Sequence, residues 1–389
     1  MKWILYLAAT AVLTGLLAPV SEDAYAADAE VDALRDQFES IIQGLNDNSF
    51  DRFNRAISKK DMTARIFGNR LIEADVKKAF ASDFTASVQG MFSSTFPKST
   101  KEILGTLIDF QFTGNEGRAV VRYVASGYRY AYHVYELGLD AKGRMLILDW
   151  VDYYQGNRFS EEAGQALIMA MPSKPSTRNL LENKTLGEGE VFQVGELFKA
   201  VRDNEAERFF QIFDGLDPVL LKEPAILRLN LHLSLAFPES PRAANAVRLV
   251  VDAFPDDPLY SLRLIDYYIP ARQYQEAIDA LELLQAGIGI SDGATESVKS
   301  SAALAMGNTA DSEKYALQAT VAEPSLELAW WSLLRARTRA ADYSGATEAL
   351  TRLEDDFGHT LDPKKLKRDR FLKVLADKPE YLNWRASRK

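Results

Sequence analysis

The residue types that most often perform chemistry are few and widely spaced in this chain of 389 residues. Its three histidines, His133, His232 and His359, show none of the short spacings at which zinc ligands occur. Cysteine is absent, which excludes disulfides, thiolate nucleophiles and thiolate metal ligands. The sequence GEGE at 187–190 follows no predicted strand and lacks the Lys-Ser/Thr pair of a phosphate-binding loop. We therefore expect no catalytic residues, no metal and no cofactor.

Charge is unevenly distributed along the chain. The net charge of −9 argues against general binding to nucleic acid, because that binding depends on Lys and Arg that neutralise phosphates. Over 364–389, however, ten basic residues (364, 365, 367, 368, 370, 373, 378, 385, 388, 389) stand against three acidic ones (369, 377, 380). We interpret this segment as a solvated helix face or tail, with a docking site for an acidic partner as the alternative.

The first residues have the composition of a secretory signal peptide. Lys2 precedes an apolar run over 3–20, and the small residues Ala24 and Ala26 predict cleavage after Ala26. The alternative is an uncleaved anchor, but the most apolar part, 4–17, is shorter than the roughly 20 residues that a membrane span needs. We expect a mature protein that is periplasmic or secreted, without stable membrane insertion and without a lipid-modified cysteine.

The rest of the chain divides into two halves of different periodicity. Apolar residues recur at three- and four-residue steps over 30–92, which predicts helices. Over 103–154, stretches rich in β-branched and aromatic residues alternate with Gly- and Asn-containing turns. This pattern predicts a four-stranded antiparallel meander with one face covered by the preceding helices. We place an α+β domain at 27–170 and a linker at 171–190, where Pro, Ser, Thr and Gly accumulate.

Helices followed by a curved meander resemble the NTF2-like (cystatin-like α+β) domains, over roughly 30–158 of this chain. The resemblance implies a pocket between helices and sheet, in which some members use an Asp with a Tyr or His. The matching candidates are His133, Asp149 and Asp152, which would support small-molecule binding or hydrolysis. The alternative is that the tyrosine-rich strand around His133 is a packing ladder between neighbouring strands.

A spacing of about 34 residues recurs in the C-terminal half. Small residues occupy one matched position, at Ala243, Ala277, Ser312 and Ala346, where they let two helices approach closely. Together with Trp330, this pattern resembles the tetratricopeptide repeat, a helical hairpin that stacks into an all-α solenoid. We place repeats within 191–360, with units at 224–257, 258–292, 293–326 and 327–360, and a basic capping helix and tail at 361–389.

The tetratricopeptide resemblance implies that the first helices of the units line a concave surface that binds a protein or peptide. The register places on this surface Arg228, His232, Leu262, Asp266, Ser297, Ser301, Leu328, Trp331, Arg335 and Arg339. Trp331, Arg335 and Arg339 follow at four-residue steps, and Trp beside Arg is typical of binding hot spots because Arg bonds carboxylates in a bidentate manner. The alternative is that Trp331 packs on the capping helix while the arginines face solvent.

Overall fold

A computed structural model describes residues 22–68, 70, 72–94, 103–125, 129–169, 186–203 and 205–388. Most of the predicted signal peptide, 1–26, and most of the predicted linker, 171–190, lie outside these ranges. Residues 22–26 begin the first helix, and 188–190 begin the helix that follows the linker. Within the described ranges, no helix combines the length and the apolar character of a membrane span.

Helices come first in the N-terminal half, as the sequence predicts. They are α1 (Glu22–Asn46), α2 (Asp51–Ala56), α3 (Lys59–Phe67), α4 (Ala74–Ser82) and α5 (Phe84–Ser94), and α6 (Phe159–Met169) follows the sheet. Helix α1 buries the apolar stripe that predicts it, including Leu34, Phe38 and Ile41. Ser58 begins α3 as its N-cap, since its side chain accepts a hydrogen bond from the backbone N–H of Asp61.

One antiparallel sheet follows, with its strands in sequence order. They are β1 (Ile103–Thr113), β2 (Glu116–Ala125), β3 (Arg129–Leu139), β4 (Met145–Asp152) and β5 (Asn157–Arg158). The first four form the predicted meander, and Gly114 and Gly143 supply the positive φ angles of 60° and 72° at two of its turns. The sequence does not reveal the fifth strand, because two residues are too few to show an alternating pattern.

The N-terminal helices cover one face of the sheet. The ring of Tyr135 in β3 meets Phe38 of α1 edge to face, with centroids 5.4 Å apart. Phe53 of α2 and Phe92 of α5 lie 5.8 and 5.9 Å from the indole of Trp150 in β4. All five side chains are buried. The prediction that the preceding helices cover one sheet face is therefore confirmed.

Helices make up the C-terminal half. They are α7 (Glu188–Arg202), α8 (Ala206–Asp214), α9 (Pro224–Ser234), α10 (Pro241–Ala253), α11 (Ser261–Tyr268), α12 (Tyr274–Ile288), α13 (Gly293–Ala305), α14 (Thr309–Ala322), α15 (Glu327–Arg339), α16 (Tyr343–Asp355), α17 (Pro363–Arg368) and α18 (Pro379–Ser387). From α9 to α16 each helix packs against the next one. The small residues Ala243, Ala277, Ser312 and Ala346 are completely buried between them, in agreement with the close approach that their size predicts.

The second face of the sheet packs against these C-terminal helices, which the sequence analysis does not predict. Leu262 of α11 and Ile288 of α12 belong to the same buried core as the strands. Arg122 of β2 is 3% exposed and donates hydrogen bonds to Asp292 and Glu323. The α+β half and the helical half therefore share one hydrophobic core, and buried charges join them at its edge.

Candidate functional site

Two of the candidates from the N-terminal domain form a buried polar chain. His133 in β3 and Asp152 in β4 are cross-strand partners, with His133 Nε2 at 3.3 Å from Asp152 Oδ2. The other ring nitrogen, Nδ1, lies 3.2 Å from the hydroxyl of Tyr135, which lies 2.7 Å from the hydroxyl of Tyr123. None of these four residues is more than 2% exposed. The chain thus runs through the hydrophobic core rather than along an open pocket.

The electrostatics of this chain favour a charged Asp152. Burial opposes the charge, but His133 and the backbone N–H groups of Tyr154 and Gln155 outweigh it and lower the pKa of Asp152 below its ordinary value. The two N–H groups donate to Oδ1 at 2.8 and 2.9 Å. Burial raises the pKa of the Tyr135 hydroxyl, which therefore keeps its proton.

Asp149, the third candidate, has a separate set of partners. Its Oδ1 accepts hydrogen bonds from the N–H groups of Trp150 and Ser160, at 2.9 and 3.2 Å, and its Oδ2 accepts one from the Ser160 hydroxyl at 2.6 Å. Arg65 and Arg158 lie 3.5 Å from Oδ2. Because Ser160 stands in the first turn of α6, Asp149 ties that helix to the sheet. The structure therefore does not assemble His133, Asp149 and Asp152 into one site.

A cleft opens between the N-terminal half and the first predicted repeat unit. Its volume is about 260 Å³. Asn157 of β5 and Glu162 of α6 line one wall, and Arg228 and His232 of α9 with Arg263 of α11 line the other. The register thus predicts two members of this cleft, Arg228 and His232. It misses Asn157 and Glu162, because nothing in the repeat pattern points to polar residues supplied by the opposite half. It also misses Arg263, which follows the predicted surface position Leu262 in α11.

The two ring systems near Arg263 hold its side chain in place. Its guanidinium carbon lies 4.0 Å from the centroid of the Tyr154 ring, and the guanidinium contacts Nδ1 of His232. Enclosure by the cleft and the charge of Arg263 lower the pKa of His232 to about 4. Although part of its surface is exposed, His232 is therefore neutral at pH 7 and accepts a hydrogen bond from Arg263.

The wall formed by β5 and α6 carries Glu162, an acid with a raised pKa, and Asn157, which has an unpaired hydrogen-bond acceptor. Burial and the charge of Asp152 raise the pKa of Glu162 to about 7, against the opposing effects of Arg228 and of a hydrogen bond from Asn157. Since the Asn157 amide group donates to Glu162, its Oδ1 is directed elsewhere. That buried oxygen has no hydrogen-bond partner among the described residues.

Two positions in the middle of the predicted concave surface, Leu262 and Ser297, are closed, whereas Ser301 is exposed. Leu262 is 9% exposed and packs in the core that includes the strands. Ser297 is fully buried, and its hydroxyl donates to the carbonyl of Gly293 at 2.7 Å. At both positions the expectation of an open binding surface is therefore wrong, because the side chains are already packed inside the protein. Asp266 lines a cavity of about 150 Å³ that faces Tyr132 of the sheet.

In the last unit, two of the predicted binding residues, Trp331 and Arg335, are already engaged by other side chains. The indole N–H of Trp331 donates to Glu327 at 2.8 Å, and the Trp331 ring centroid lies 5.3 Å from that of His359. The guanidinium of Arg335 lies 5.6 Å from the Trp331 ring centroid and donates to Asp369 at 3.1 and 3.2 Å. These contacts of Trp331 therefore lie within its own unit, whereas Arg335 contacts the segment that follows the repeats and does not simply face solvent.

The predicted partner-binding residues therefore fall in three places. Arg339 is exposed one turn beyond Arg335, and Leu328 is half-buried at the start of the same helix. Arg228 and His232 line the cleft, Asp266 lines the smaller cavity, and Leu328, Trp331, Arg335 and Arg339 lie at the C-terminal end.

No protein-family model, curated protein or solved structure matches this chain. In the part of the chain that the structure describes, no group of three or more His, Asp or Glu side chains is placed to hold a metal ion.

Proposed function

We propose that this protein is a non-enzymatic interaction protein, periplasmic or secreted, that binds an acidic protein or peptide at the C-terminal end of a tetratricopeptide-like array. The observation that best supports this proposal is the ion pair between Arg335 and Asp369, in which the guanidinium nitrogen lies 3.1 Å from the carboxylate oxygen. It holds the basic segment, residues 364–373, beside α15, so that Arg339 and the cations of the segment share one end of the molecule.

The cations at this end are available to a partner. Those without an acidic partner within 4 Å in the described part of the chain are Arg339, Lys364, Lys365, Arg368, Arg370 and Lys373, and all six are exposed. Asp369 stands between Arg368 and Arg370 in sequence, and its carboxylate is already bound by Arg335. On a chain of net charge −9, such a local excess of positive charge favours an acidic partner and steers its approach.

The order of the helices supports the repeat assignment. The predicted units at 224–257, 258–292, 293–326 and 327–360 each contain one pair of consecutive helices, from α9–α10 to α15–α16. Because Leu262 and Ser297 are buried, the middle of the array offers a partner less surface than its last unit. The predicted signal peptide, 1–26, supports a location outside the cytoplasm.

The test is affinity capture from a periplasmic extract on the mature chain, 27–389. The variant carries Arg339→Glu and Arg368→Glu, and the matched control carries Lys60→Glu and Lys222→Glu, which change the net charge equally at exposed sites elsewhere. We expect a partner that the wild type and the control retain and that the variant loses, with retention falling as salt rises. Equal retention by variant and control would remove the C-terminal end as the binding surface.

A further inference from the structure

The cleft between α6 and α9 has the size of a small metabolite. Its volume of about 260 Å³ equals the space that about eight or nine molecules of liquid water occupy. A ligand of about that many non-hydrogen atoms fits, whereas sites for drug-sized ligands start at about 300 Å³. The cleft therefore suits a compact polar molecule better than a folded partner.

One wall of the cleft offers hydrogen-bond acceptors. Asn157 is 7% exposed, and its Oδ1 is buried without a partner among the described residues. Buried acceptors in folded proteins nearly always receive a hydrogen bond, so this one points to a donor supplied by a bound molecule. The carboxylate of Glu162 lines the same cleft and accepts a hydrogen bond from the Asn157 amide N–H group. A primary ammonium group supplies three donors and a positive charge, which matches this pair of acceptors.

The opposite wall offers a cation. Arg228 lines the cleft from α9 and forms no ion pair within 4 Å in the described ranges, whereas Arg263 is occupied by Tyr154 and His232. Gly156, with a φ of 75°, lines the cleft between these walls. An unoccupied guanidinium is suited to a carboxylate, which it binds through two parallel hydrogen bonds.

Apolar side chains line the remaining surface, namely Phe198, Val201, Leu229 and Leu259. From this arrangement we infer that the cleft binds a free α-amino acid with an apolar side chain, whose ammonium group meets Asn157 and Glu162 and whose carboxylate meets Arg228. This inference is independent of partner binding at the C-terminal end, because the two places share no residue.

The ionisation of Glu162 gives the binding a defined pH dependence. The charged groups that act on Glu162 are Asp152 and Arg228, while Arg263 and the neutral His232 face it across the cleft. With a pKa of about 7, the ionised fraction of Glu162 rises about tenfold between pH 6 and pH 8. Because the ammonium group binds the ionised form, affinity rises over the same interval.

Isothermal titration of the mature chain, 27–389, with three related compounds tests the ligand class. L-leucine carries both charged groups, 3-methylbutylamine lacks the carboxylate, and 4-methylpentanoate lacks the ammonium group. We expect saturable binding of leucine, at least about tenfold weaker binding of either analogue, and leucine affinity that increases from pH 6 to pH 8. If leucine gives no saturable heat, the titration is repeated with the other apolar amino acids, and no binding by any of them overturns the inference.

Variants assign the two ends of the ligand. Arg228→Met should abolish the preference for leucine over the amine, and Glu162→Gln should abolish the preference for leucine over the acid together with the pH dependence. The matched controls are Arg248→Met and Glu276→Gln, which lie at exposed positions of α10 and α12. Circular dichroism of each variant monitors the fold. Binding that Arg228→Met and Glu162→Gln leave unchanged would place the ligand elsewhere and overturn the assignment.

Discussion

Arg122 of β2 donates a hydrogen bond of 2.5 Å to Asp292, the N-cap residue of α13, and so joins the sheet to the helical half. The same guanidinium donates to both oxygens of Glu323 at 2.7 and 2.8 Å. The hydroxyl of Tyr132 donates to the other oxygen of Asp292. A single buried carboxylate therefore caps a helix and balances a buried cation at once.

Replacing Arg122 by Met should destabilise the whole protein. The change leaves the buried carboxylate of Asp292 and the partly buried carboxylate of Glu323 without their cation, and breaking a buried pair costs about 3–5 kcal/mol. Denaturation in urea measures the loss. Arg144→Met is the control, because Arg144 is 69% exposed and should change the free energy of unfolding by less than about 0.5 kcal/mol. Equal stability of the two variants would show that the buried network contributes nothing.

Asp152→Asn should weaken the fold in a manner that depends on pH. The variant keeps an oxygen for the N–H groups of Tyr154 and Gln155 but loses the charge opposite His133, so we expect a loss of about 1–3 kcal/mol at pH 7. Because folding lowers the pKa of Asp152 below 3.8, its stabilisation is complete above that pH and is lost as pH falls through the folded pKa.

Urea denaturation of wild type and Asp152→Asn at pH 7 and near pH 3 measures this difference. The difference in the free energy of unfolding between wild type and Asp152→Asn should be smaller near pH 3 than at pH 7. Asp256→Asn, at an exposed position, should match the wild type at both pH values. A gap that stays constant with pH would assign the loss to packing and not to charge.

The local pattern of side chains predicts most of the secondary structure. Stretches rich in β-branched and aromatic residues, separated by turns, locate β1 to β4 to within a few residues, because such side chains pack well on a pleated sheet surface. The spacing of small residues such as Ala277 and Ala346 predicts where helices touch, since it depends only on side-chain size. Both signals are contained in short stretches of sequence.

No short stretch of sequence predicts the contacts between the α+β half and the helical half. Arg122 and Asp292 are 170 residues apart, and no periodic pattern links them. For the same reason the repeat register places Arg228 in a binding surface but does not reveal that Glu162 and Asn157 complete the cleft from the other half. It also treats Leu262 as open, because it carries no information about the sheet that covers that residue.

Two arginines of α15, Arg335 and Arg339, should differ in their effect on the C-terminal segment. Arg335→Ala removes the partner of Asp369, so hydrogen exchange over 363–388 should become faster, with a cost of about 1 kcal/mol because both side chains are partly exposed. Arg339→Ala should leave this exchange unchanged, since Arg339 is exposed and forms no ion pair in the described part of the chain. Equal exchange in the two variants would show that the ion pair does not hold the segment.

Glu162→Gln should stabilise the protein at alkaline pH, even without a ligand. Folding raises the pKa of Glu162 from 4.5 to about 7, so the folded state binds the proton more tightly and its stability falls as pH rises between these values. Full burial would make the effect about 3 kcal/mol, but Glu162 is partly exposed and we expect about 1 kcal/mol.

Melting temperatures at pH 5 and pH 8 test the effect of Glu162→Gln. The melting temperature of the variant should exceed that of the wild type at pH 8 but not at pH 5, whereas Glu276→Gln should follow the wild type at both pH values. Parallel behaviour of Glu162→Gln and the wild type would mean that Glu162 titrates normally, and the cleft would then present a fully ionised carboxylate throughout the neutral range.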